Sequence, residues 1–88
     1  MADWINKPPE NLSSSILRCV DAETAHEYLV IPVGEEAEVL VVAVEDPDDF
    51  AMYDRLRFVL NRELRLVGLA RSELIMAVWR FYGAALER

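Results

Sequence analysis

The stretch VLVVAVEDPDDFAMYDRLRFVL, residues 39–60, decides the fold of this chain. Its first six residues form an unbroken aliphatic run rich in β-branched valine, which predicts a central strand buried on both faces. Asp46 then stands where a helix N-cap belongs, and Pro47 occupies the first helical position, where its missing N–H costs nothing. Apolar residues such as Leu56 and Leu60 follow at helical spacing. The stretch therefore predicts a strand that leads directly into a helix.

Four carboxylates crowd the predicted start of this helix, namely Glu45, Asp46, Asp48 and Asp49. Asp48 and Asp49 fall in the first turn, where negative charge interacts favourably with the positive end of the helix dipole. A calcium loop needs alternating oxygen ligands, a glycine and a closing glutamate, and the run has none of that spacing. No histidine or cysteine stands close by to suggest a transition metal. The run therefore favours a helix start, and we expect no metal and no cofactor.

The signals around this stretch give the element order α-β-β-α-β-α. A helix AETAHEYL capped by Asp21 comes first, and LVIPV at 29–33 follows as a strand that Pro32 confines to a sheet edge. GEEAE at 34–38 is typical of the hairpin connection to the central strand. RELRLVGLA at 62–70 predicts a third strand, which the helical crossover makes parallel to the second.

One more helix is predicted at the C-terminal end, capped by Ser72 and ended by Gly83. Its core-facing stripe would consist of Ile75, Val78, Trp79 and Tyr82. The fold class is α+β, with two layers in which helices pack on a small mixed three-stranded sheet. The strand order stays open, because the third strand could lie beside the central strand directly or with LVIPV between them.

The length of 88 residues allows one small domain. Residues 1–12 hold a Pro-Pro pair and few apolar residues, so we predict a flexible N-terminal tail there. A single domain follows over residues 13–88, beginning with SSSILRCV as an extended lead-in. No apolar run reaches the roughly 20 residues of a transmembrane helix, and the N-terminus lacks a secretory signal. Because Cys19 has no partner for a disulfide, a cytoplasmic setting is expected.

The net charge of −7 is unevenly distributed. Residues 1–54 hold 13 acidic and 2 basic residues, a balance of −11, whereas residues 55–88 hold 3 acidic and 7 basic residues, a balance of +4. An acidic chain argues against nucleic-acid binding, which needs a basic face. A local patch could still contact an acidic partner or an anion. Its candidate members are Arg62, Arg65, Arg71, Arg80 and Phe81, and the alternative is that these arginines are ordinary solvated surface residues.

Nothing in the sequence predicts catalysis. The chain has no GxxxxGK[ST] phosphate loop, no GxGxxG and no GxSxG motif. His26 stands within a predicted helix beside Glu23 and Glu27, a pattern more typical of a surface or partly buried histidine than of a catalytic base. Cys19 has no histidine at a telling spacing and is more typical of a small buried or edge residue than of a nucleophile. We therefore expect a protein that is not an enzyme.

Three segments together carry a family resemblance: HEYLVIPV at 26–33, VLVVAVEDPDD at 39–49 and YDRLRFVLNRELRLVGLARSELIMAVWRFYG at 53–83. In order and spacing they resemble the N-terminal domain of type II secretion and type IV pilus assembly ATPases. The similar part is the second half of that domain, which follows its cyclic-di-GMP-binding repeats. The matching features include Val30–Pro32, VAVEDP at 42–47, Asp54, Arg57–Phe58 and FYG at 81–83.

The resemblance implies a non-catalytic interaction or regulatory module that contacts a protein of a secretion or pilus machine. The expected partner is an inner-membrane platform protein or an ATPase, so the chain would be cytoplasmic, with peripheral attachment to the inner membrane through that partner as an option. The alternative is a sensor of a cyclic-di-GMP-like nucleotide that uses the arginine patch. Residues 1–20 contain nothing like the family's RLG motif for that nucleotide, so no ligand-binding residues carry over.

Overall fold

The computed structural model describes residues 3–83. Across this part the chain forms four helices and one four-stranded mixed sheet, and the fold class is α+β as predicted. The elements in chain order are β1 (Asp3–Trp4), α1 (Ser14–Leu17), α2 (Ala22–Tyr28), β2 (Ile31–Glu36), β3 (Val39–Val44), α3 (Phe50–Leu60), β4 (Leu64–Gly68) and α4 (Arg71–Tyr82).

The strand order is β1-β4-β3-β2. β2 pairs antiparallel with β3, and β4 pairs parallel with β3, as the hairpin and the helical crossover predicted. β4 therefore lies directly beside β3, which settles the question that the sequence left open. β2 lies at the edge of the sheet, as Pro32 predicted, because proline has no N–H for a second neighbouring strand.

The central strand β3 is buried on both faces, as predicted. Leu40, Val42 and Val44 alternate along the strand with Val41 and Ala43, and all five side chains are buried. The helices contribute further fully or almost fully buried side chains to the same core, among them Ala25, Leu56, Leu74, Ala77 and Val78.

The fourth strand corrects the prediction of a three-stranded sheet, and it lies within residues 1–12, the segment predicted as a flexible tail. Asp3 and Trp4 pair in parallel with Val67 and Gly68, and the N–H of Ile5 donates to the carbonyl of Gly68 at 2.9 Å. A two-residue strand is too short to show any hydrophobic period. Its pairing partner also lies more than 60 residues away, so the sequence carries no local signal for it.

The start of α3 lies three residues later than predicted. Asp49, not Asp46, is the N-cap, and its carboxylate accepts the N–H of Met52 at 3.1 Å. Asp46 instead closes a turn, because its carboxylate accepts the N–H of Asp48 and its carbonyl accepts that of Asp49. Both aspartates satisfy the sequence rule for a cap, so the rule alone could not choose between them. The interpretation of the acidic run as a helix start holds with this shift.

The lead-in at residues 13–20 is helical in part, which corrects the prediction of an extended segment. The hydroxyl of Ser13 accepts the N–H of Ile16 at 3.2 Å and thereby caps α1. At the last helix the expected cap, Ser72, lies inside α4, whose N-cap is Ala70 without any side-chain hydrogen bond. Gly83 ends α4 at a φ of 61°, as predicted.

The hairpin turn is shorter than predicted. Strand β2 continues through Glu36, so the turn consists of Ala37 and Glu38 only. Gly34, which was expected to open the turn, lies within β2 beside a shift in its register with β3. Ala37 adopts a left-handed φ of 57°, a conformation that two-residue hairpin turns require and that alanine adopts at a cost.

Helix α2 is capped by Asp21, as predicted. The carboxylate accepts the N–H of Thr24 at 2.8 Å. Hydrogen bonding by Thr24, through its side chain and its backbone N–H, lowers the pKa of Asp21 below its ordinary value. Tyr82 joins α4 to α1 by donating its hydroxyl to the carbonyl of Leu17 at 2.9 Å, and burial raises the pKa of that hydroxyl.

Candidate interaction surface

Arg62, the first of the predicted contact residues, is held at the hairpin end of the sheet. Its guanidinium donates to the carboxylate of Glu35 at 2.9 Å and to the carbonyl of Glu38 at 3.0 Å. The guanidinium also lies 3.5 Å from the sulfur of Cys19, and the Arg62 side chain is only 26% exposed. Arg62 thus ties the turn after α3 to the β2–β3 hairpin.

The next two arginines are also paired with carboxylates of the chain. Arg65 contacts Asp3 at 2.8 Å and Glu36 at 3.3 Å. These hydrogen bonds, first with Glu36 and then with Asp3, raise the pKa of Arg65 above its ordinary value. Arg71 contacts Glu45 at 3.0 Å. An incoming anion would therefore have to compete with an acceptor that already engages each of these guanidiniums.

The predicted arginine patch is dispersed in the fold. Arg62 and Arg65 lie at the N-terminal end of β4, whereas Arg71 lies beyond its C-terminal end. Arg71 and Arg80 stand nine residues apart on α4, which is roughly 13 Å along a helix axis. The four arginines therefore do not converge on one small anion.

Arg80 and Phe81 form a contact of their own near the end of α4. The Arg80 guanidinium lies over the Phe81 ring, 5.0 Å from its centroid, and donates to the carbonyl of Glu10. Phe81 is partly buried and packs against the core. Arg80 thereby joins the segment before α1 to the outer side of α4.

The side of α4 that faces the core differs from the predicted stripe. Leu74, Ala77 and Val78 are the buried residues, whereas Met76 is 67% and Trp79 is 53% exposed. Ile75, also predicted to face the core, is exposed as well. The helix is apolar nearly all round, so two stripes of helical period were available and periodicity could not choose between them.

A groove borders the exposed side of α4. The segment Lys7, Pro8 and Glu10 forms one wall, α4 forms the other, and the groove has a volume of about 410 Å³. The residues of α4 that line it are Glu73, Met76, Ala77 and Arg80. Its lining thus combines apolar side chains with charges of both signs. We define the α4 surface as Lys7, Pro8 and Glu10 together with the α4 residues Glu73, Ile75, Met76, Trp79 and Arg80.

Trp79 is held in place by α2. His26 meets it edge-on with ring centroids 5.6 Å apart, and Nε2 of His26 lies 2.8 Å from the carbonyl of Gly83. The partly buried histidine expected from the sequence therefore has a structural contact at the end of α4. An exposed tryptophan fixed by a neighbouring ring loses little conformational freedom when a partner covers it.

The remaining candidates for chemistry have structural contacts. The thiol of Cys19 donates to the carbonyl of Ser15 at 3.4 Å.

Within residues 3–83, no three side chains of histidine, cysteine, aspartate or glutamate lie close enough together to bind a metal ion. In the same part of the chain, no helix has the length and apolar character needed to cross a membrane.

Comparison with known proteins decides the family. The model of the MshEN domain matches residues 2–88, which is nearly the whole chain. This chain belongs to the MshEN domain family. The type IV pilus assembly ATPase PilB of Myxococcus xanthus (strain DK1622) is 29% identical over 86 residues, and these cover 94% of this MshEN domain and 15% of PilB. The domain therefore spans less than a sixth of that relative.

Solved structures share the fold of this MshEN domain. A structure of MshE with c-di-GMP superposes with a TM-score of 0.78 at 17% identity, covering 92% of this chain and 59% of that one. The N-terminal domain of XpsE superposes with a TM-score of 0.71 at 24% identity, covering 93% and 58%. A second crystal form of that domain superposes with a TM-score of 0.65 at 26% identity, covering 90% of this chain and 52% of that one. The resemblance to N-terminal domains of secretion and pilus ATPases is confirmed.

Sequence reasoning missed two parts of the α4 surface of this MshEN domain. Trp79 was missed as an exposed residue because its apolar side chain fits a core-facing stripe equally well, and Met76, which lies outside the predicted stripe, was not singled out. The wall formed by residues 7–10 was missed because nothing in that polar, proline-containing segment predicts where it docks. Of the predicted contacts, Arg80 lines the groove and Phe81 packs beneath its guanidinium. The contact role of Arg62, Arg65 and Arg71 stays a prediction.

Proposed function

We propose that this MshEN domain is a non-catalytic interaction module that docks onto a protein of a type II secretion or type IV pilus machine. The contact is made by the α4 surface. The partner is an inner-membrane platform protein or an ATPase of that machine, so the domain acts in the cytoplasm, at the inner membrane when it is bound. The observation that carries the proposal is the exposure of Met76 and Trp79 beside the groove.

The composition of the α4 surface suits a protein partner. Ile75, Met76 and Trp79 present roughly 300 Å² of apolar surface to water, a patch size at which interaction sites become common. Tryptophan, methionine and arginine are the residue types enriched at the centres of interfaces. The groove beside them has a volume large enough for a side chain of the partner, and its charged lining can bond to polar groups around that side chain.

The relatives support this class of function. PilB is a pilus assembly ATPase, and the XpsE match is an N-terminal domain. The 88 residues contain no phosphate loop with which to bind a nucleoside triphosphate for hydrolysis. A docking role requires a surface complementary to the partner and requires no catalytic group.

The test is the affinity of the domain for the purified cytoplasmic region of the host's inner-membrane platform protein, measured by biolayer interferometry. Met76→Glu places a charge in the centre of the α4 surface, and Trp79→Ala removes its largest ring. We expect each to weaken binding at least about tenfold, as truncation of a central interface residue does. Phe58→Ser, on α3, is the matched exposed control and should bind within about twofold of the wild type.

Unfolding midpoints accompany these affinities, because Trp79 also contacts His26. Wild-type affinity in both Met76→Glu and Trp79→Ala, with unchanged midpoints, would exclude the α4 surface as the contact. Equal loss in the Phe58→Ser control would move the contact to α3. Failure of the wild type to bind either the platform protein or the machine's ATPase would reject the docking role.

Binding of a cyclic dinucleotide is the second candidate. It is supported by the structure of MshE, which shares this fold and was solved with c-di-GMP. Arg62 or Arg65 would have to exchange its carboxylate partner for phosphate, at an end of the sheet that also carries Glu35, Glu36 and Asp3. Calorimetric titration with c-di-GMP tests it: saturation at micromolar concentration that is lost in Arg65→Ala would favour the sensor role over docking.

A further inference from the structure

Helix α3 carries a second exposed surface with large apolar side chains, which is separate from the α4 surface. Its exposed residues recur in pairs four positions apart, and Phe58 is 87% and Phe50 is 80% exposed. We call this set the α3 face; its members are Phe50, Ala51, Asp54, Arg55, Phe58 and Val59, all of them exposed.

The α3 face has no role in the core. Leu56 is the fully buried residue of the helix. At 100° per residue, Phe58 projects about 160° away from Leu56, almost directly opposite. Two phenylalanines that contribute nothing to core packing on an 11-residue helix cost solubility. A second protein surface that covered them would remove this cost.

The charges of the α3 face make it complementary to itself. Asp54 and Arg55 lie about 100° apart around the helix and flank the line of Phe58 and Ala51 on opposite sides. When two copies of one helix pair side by side and parallel about a two-fold axis, the left flank of one faces the right flank of the other. Asp54 of each copy then meets Arg55 of the other. An antiparallel pair would instead bring like charges together.

We propose that the α3 face binds a second copy of this chain, with the two α3 helices parallel. Phe58 of each copy packs on Phe58 of the other at the centre, with Ala51 giving room about two turns towards the N-terminus of the helix. The two Asp54–Arg55 contacts flank this apolar line. Within residues 3–83 neither Asp54 nor Arg55 makes an ion pair, so both are available for the contact.

The area of the α3 face indicates a weak dimer. Its two phenylalanines expose roughly 350 Å² of apolar surface per copy, and the whole face covers roughly 600 Å². The pair would bury about 1,200 Å², which is the lower end for specific interfaces. The expected behaviour is a concentration-dependent dimer with half-association at roughly 10–100 µM. This inference does not rest on the proposed docking role, which uses a different helix.

Sedimentation velocity of the 88-residue chain tests the proposal, between 5 and about 500 µM in buffer with 0.15 M salt, where the repulsion of the net charges is screened beyond about 8 Å. We expect the mass to rise from 10.1 kDa towards twice that value. Phe58→Asp should abolish the rise. Met76→Glu, on the α4 surface, is the matched control and should leave it unchanged.

Charge exchange at two neighbouring positions tests the parallel geometry. Asp54→Arg alone and Arg55→Asp alone each place like charges across the pair, and each variant should stay monomeric to at least tenfold higher concentration than the wild type. An equimolar mixture of the two variants restores opposite charges on both flanks and should dimerise. The double variant Asp54→Arg, Arg55→Asp should also dimerise.

A chain that stays monomeric up to 500 µM would overturn the proposal and would assign the α3 face to a different protein. A dimer that survives Phe58→Asp would place self-association elsewhere. Single charge variants that dimerise as well as the wild type, or a mixture that fails to recover, would reject the parallel pairing. Residues 54, 55 and 58 of α3 are exposed, so we expect each variant to fold. The α-helical circular dichroism signal of each variant checks this.

Discussion

Gly68→Ala is the substitution that tests the placement of the N-terminal strand most sharply. A Cβ built on Gly68 would lie 2.4 Å from the ring of Trp4, whereas any real contact there exceeds 3.0 Å. The added methyl group would therefore displace the tryptophan ring. Gly34→Ala is the matched control, because a Cβ on Gly34 has nothing within 4 Å.

The cost follows from what the displaced ring loses. Trp4 is 61% exposed, so the packed remainder is roughly 60–100 Å², worth about 1.5–2.5 kcal/mol at about 25 cal/mol per Å². The hydrogen bond from Ile5 to Gly68 adds about 0.5–1.5 kcal/mol if the strand also separates. The reduced freedom of the unfolded chain offsets about 0.4–1 kcal/mol of this loss, so we expect Gly68→Ala to lower the free energy of unfolding by about 1–3 kcal/mol. Gly34→Ala should raise it by about 0.4–1 kcal/mol, because the unfolded chain loses freedom.

The assay is urea unfolding followed by circular dichroism, with Trp4→Ala as a second background. If the added methyl group strikes the Trp4 ring, Gly68→Ala should leave the free energy of unfolding unchanged in the Trp4→Ala background. The effects of the two substitutions are then coupled. A neutral or stabilising effect of Gly68→Ala in the wild-type background would refute the stacking of Trp4 on this strand. An equal loss of unfolding free energy in the wild-type and Trp4→Ala backgrounds would show that contact with Trp4 is not the cause of the loss.

Three further sets of substitutions test local features of the fold. Asp49→Ala should lower the free energy of unfolding by about 0.5–2 kcal/mol through loss of the α3 cap, and Asp46→Ala should cost less; the reverse order in urea unfolding would restore Asp46 as the cap. The lowered pKa of Asp21 stabilises the fold above the ordinary aspartate pKa of about 3.9, and this stabilisation is lost as the pH falls through the lower folded value. Asp21→Asn should therefore flatten the loss of thermal stability below about pH 4, and an unchanged pH profile would exclude this contribution. Ala37→Asn should raise the free energy of unfolding by about 0.5 kcal/mol and Ala37→Val should lower it by about 1 kcal/mol or more, because the left-handed turn position tolerates asparagine and penalises a β-branched residue. Equal free energies of unfolding would contradict the two-residue turn.

Features that depend on short-range chemistry were predictable from the sequence. The valine-rich run fixes β3 as the central strand, and Pro32 fixes its neighbour at the edge. Asp21 caps α2 and Gly83 ends α4 because a cap and a left-handed stop depend on residues only a few positions away. The order of elements then determines the parallel pairing of β3 and β4.

Features that depend on distant contacts were not predictable from the sequence. Strand β1 exists because its two residues meet Val67 and Gly68 across the whole chain. The exposed side of α4 is chosen by what packs against its other side, and periodicity offers two equivalent choices. The arginines look like one basic patch along the chain, but the fold separates Arg62 from Arg71 and gives each a carboxylate partner. Which side chains lie together on the surface therefore became clear only from the structure.

The most direct test of the proposed interaction role is the amide spectrum of the ¹⁵N-labelled chain, recorded by NMR during titration with the purified cytoplasmic region of the host's platform protein. We expect the perturbed amides to cluster on residues 7–10 and Arg71–Tyr82, with α3 unaffected at dilute concentration. Perturbations confined to Phe50–Leu60, or to the hairpin end around Arg62 and Arg65, would contradict the α4 surface. No perturbation with either the platform protein or the ATPase would contradict the docking role itself.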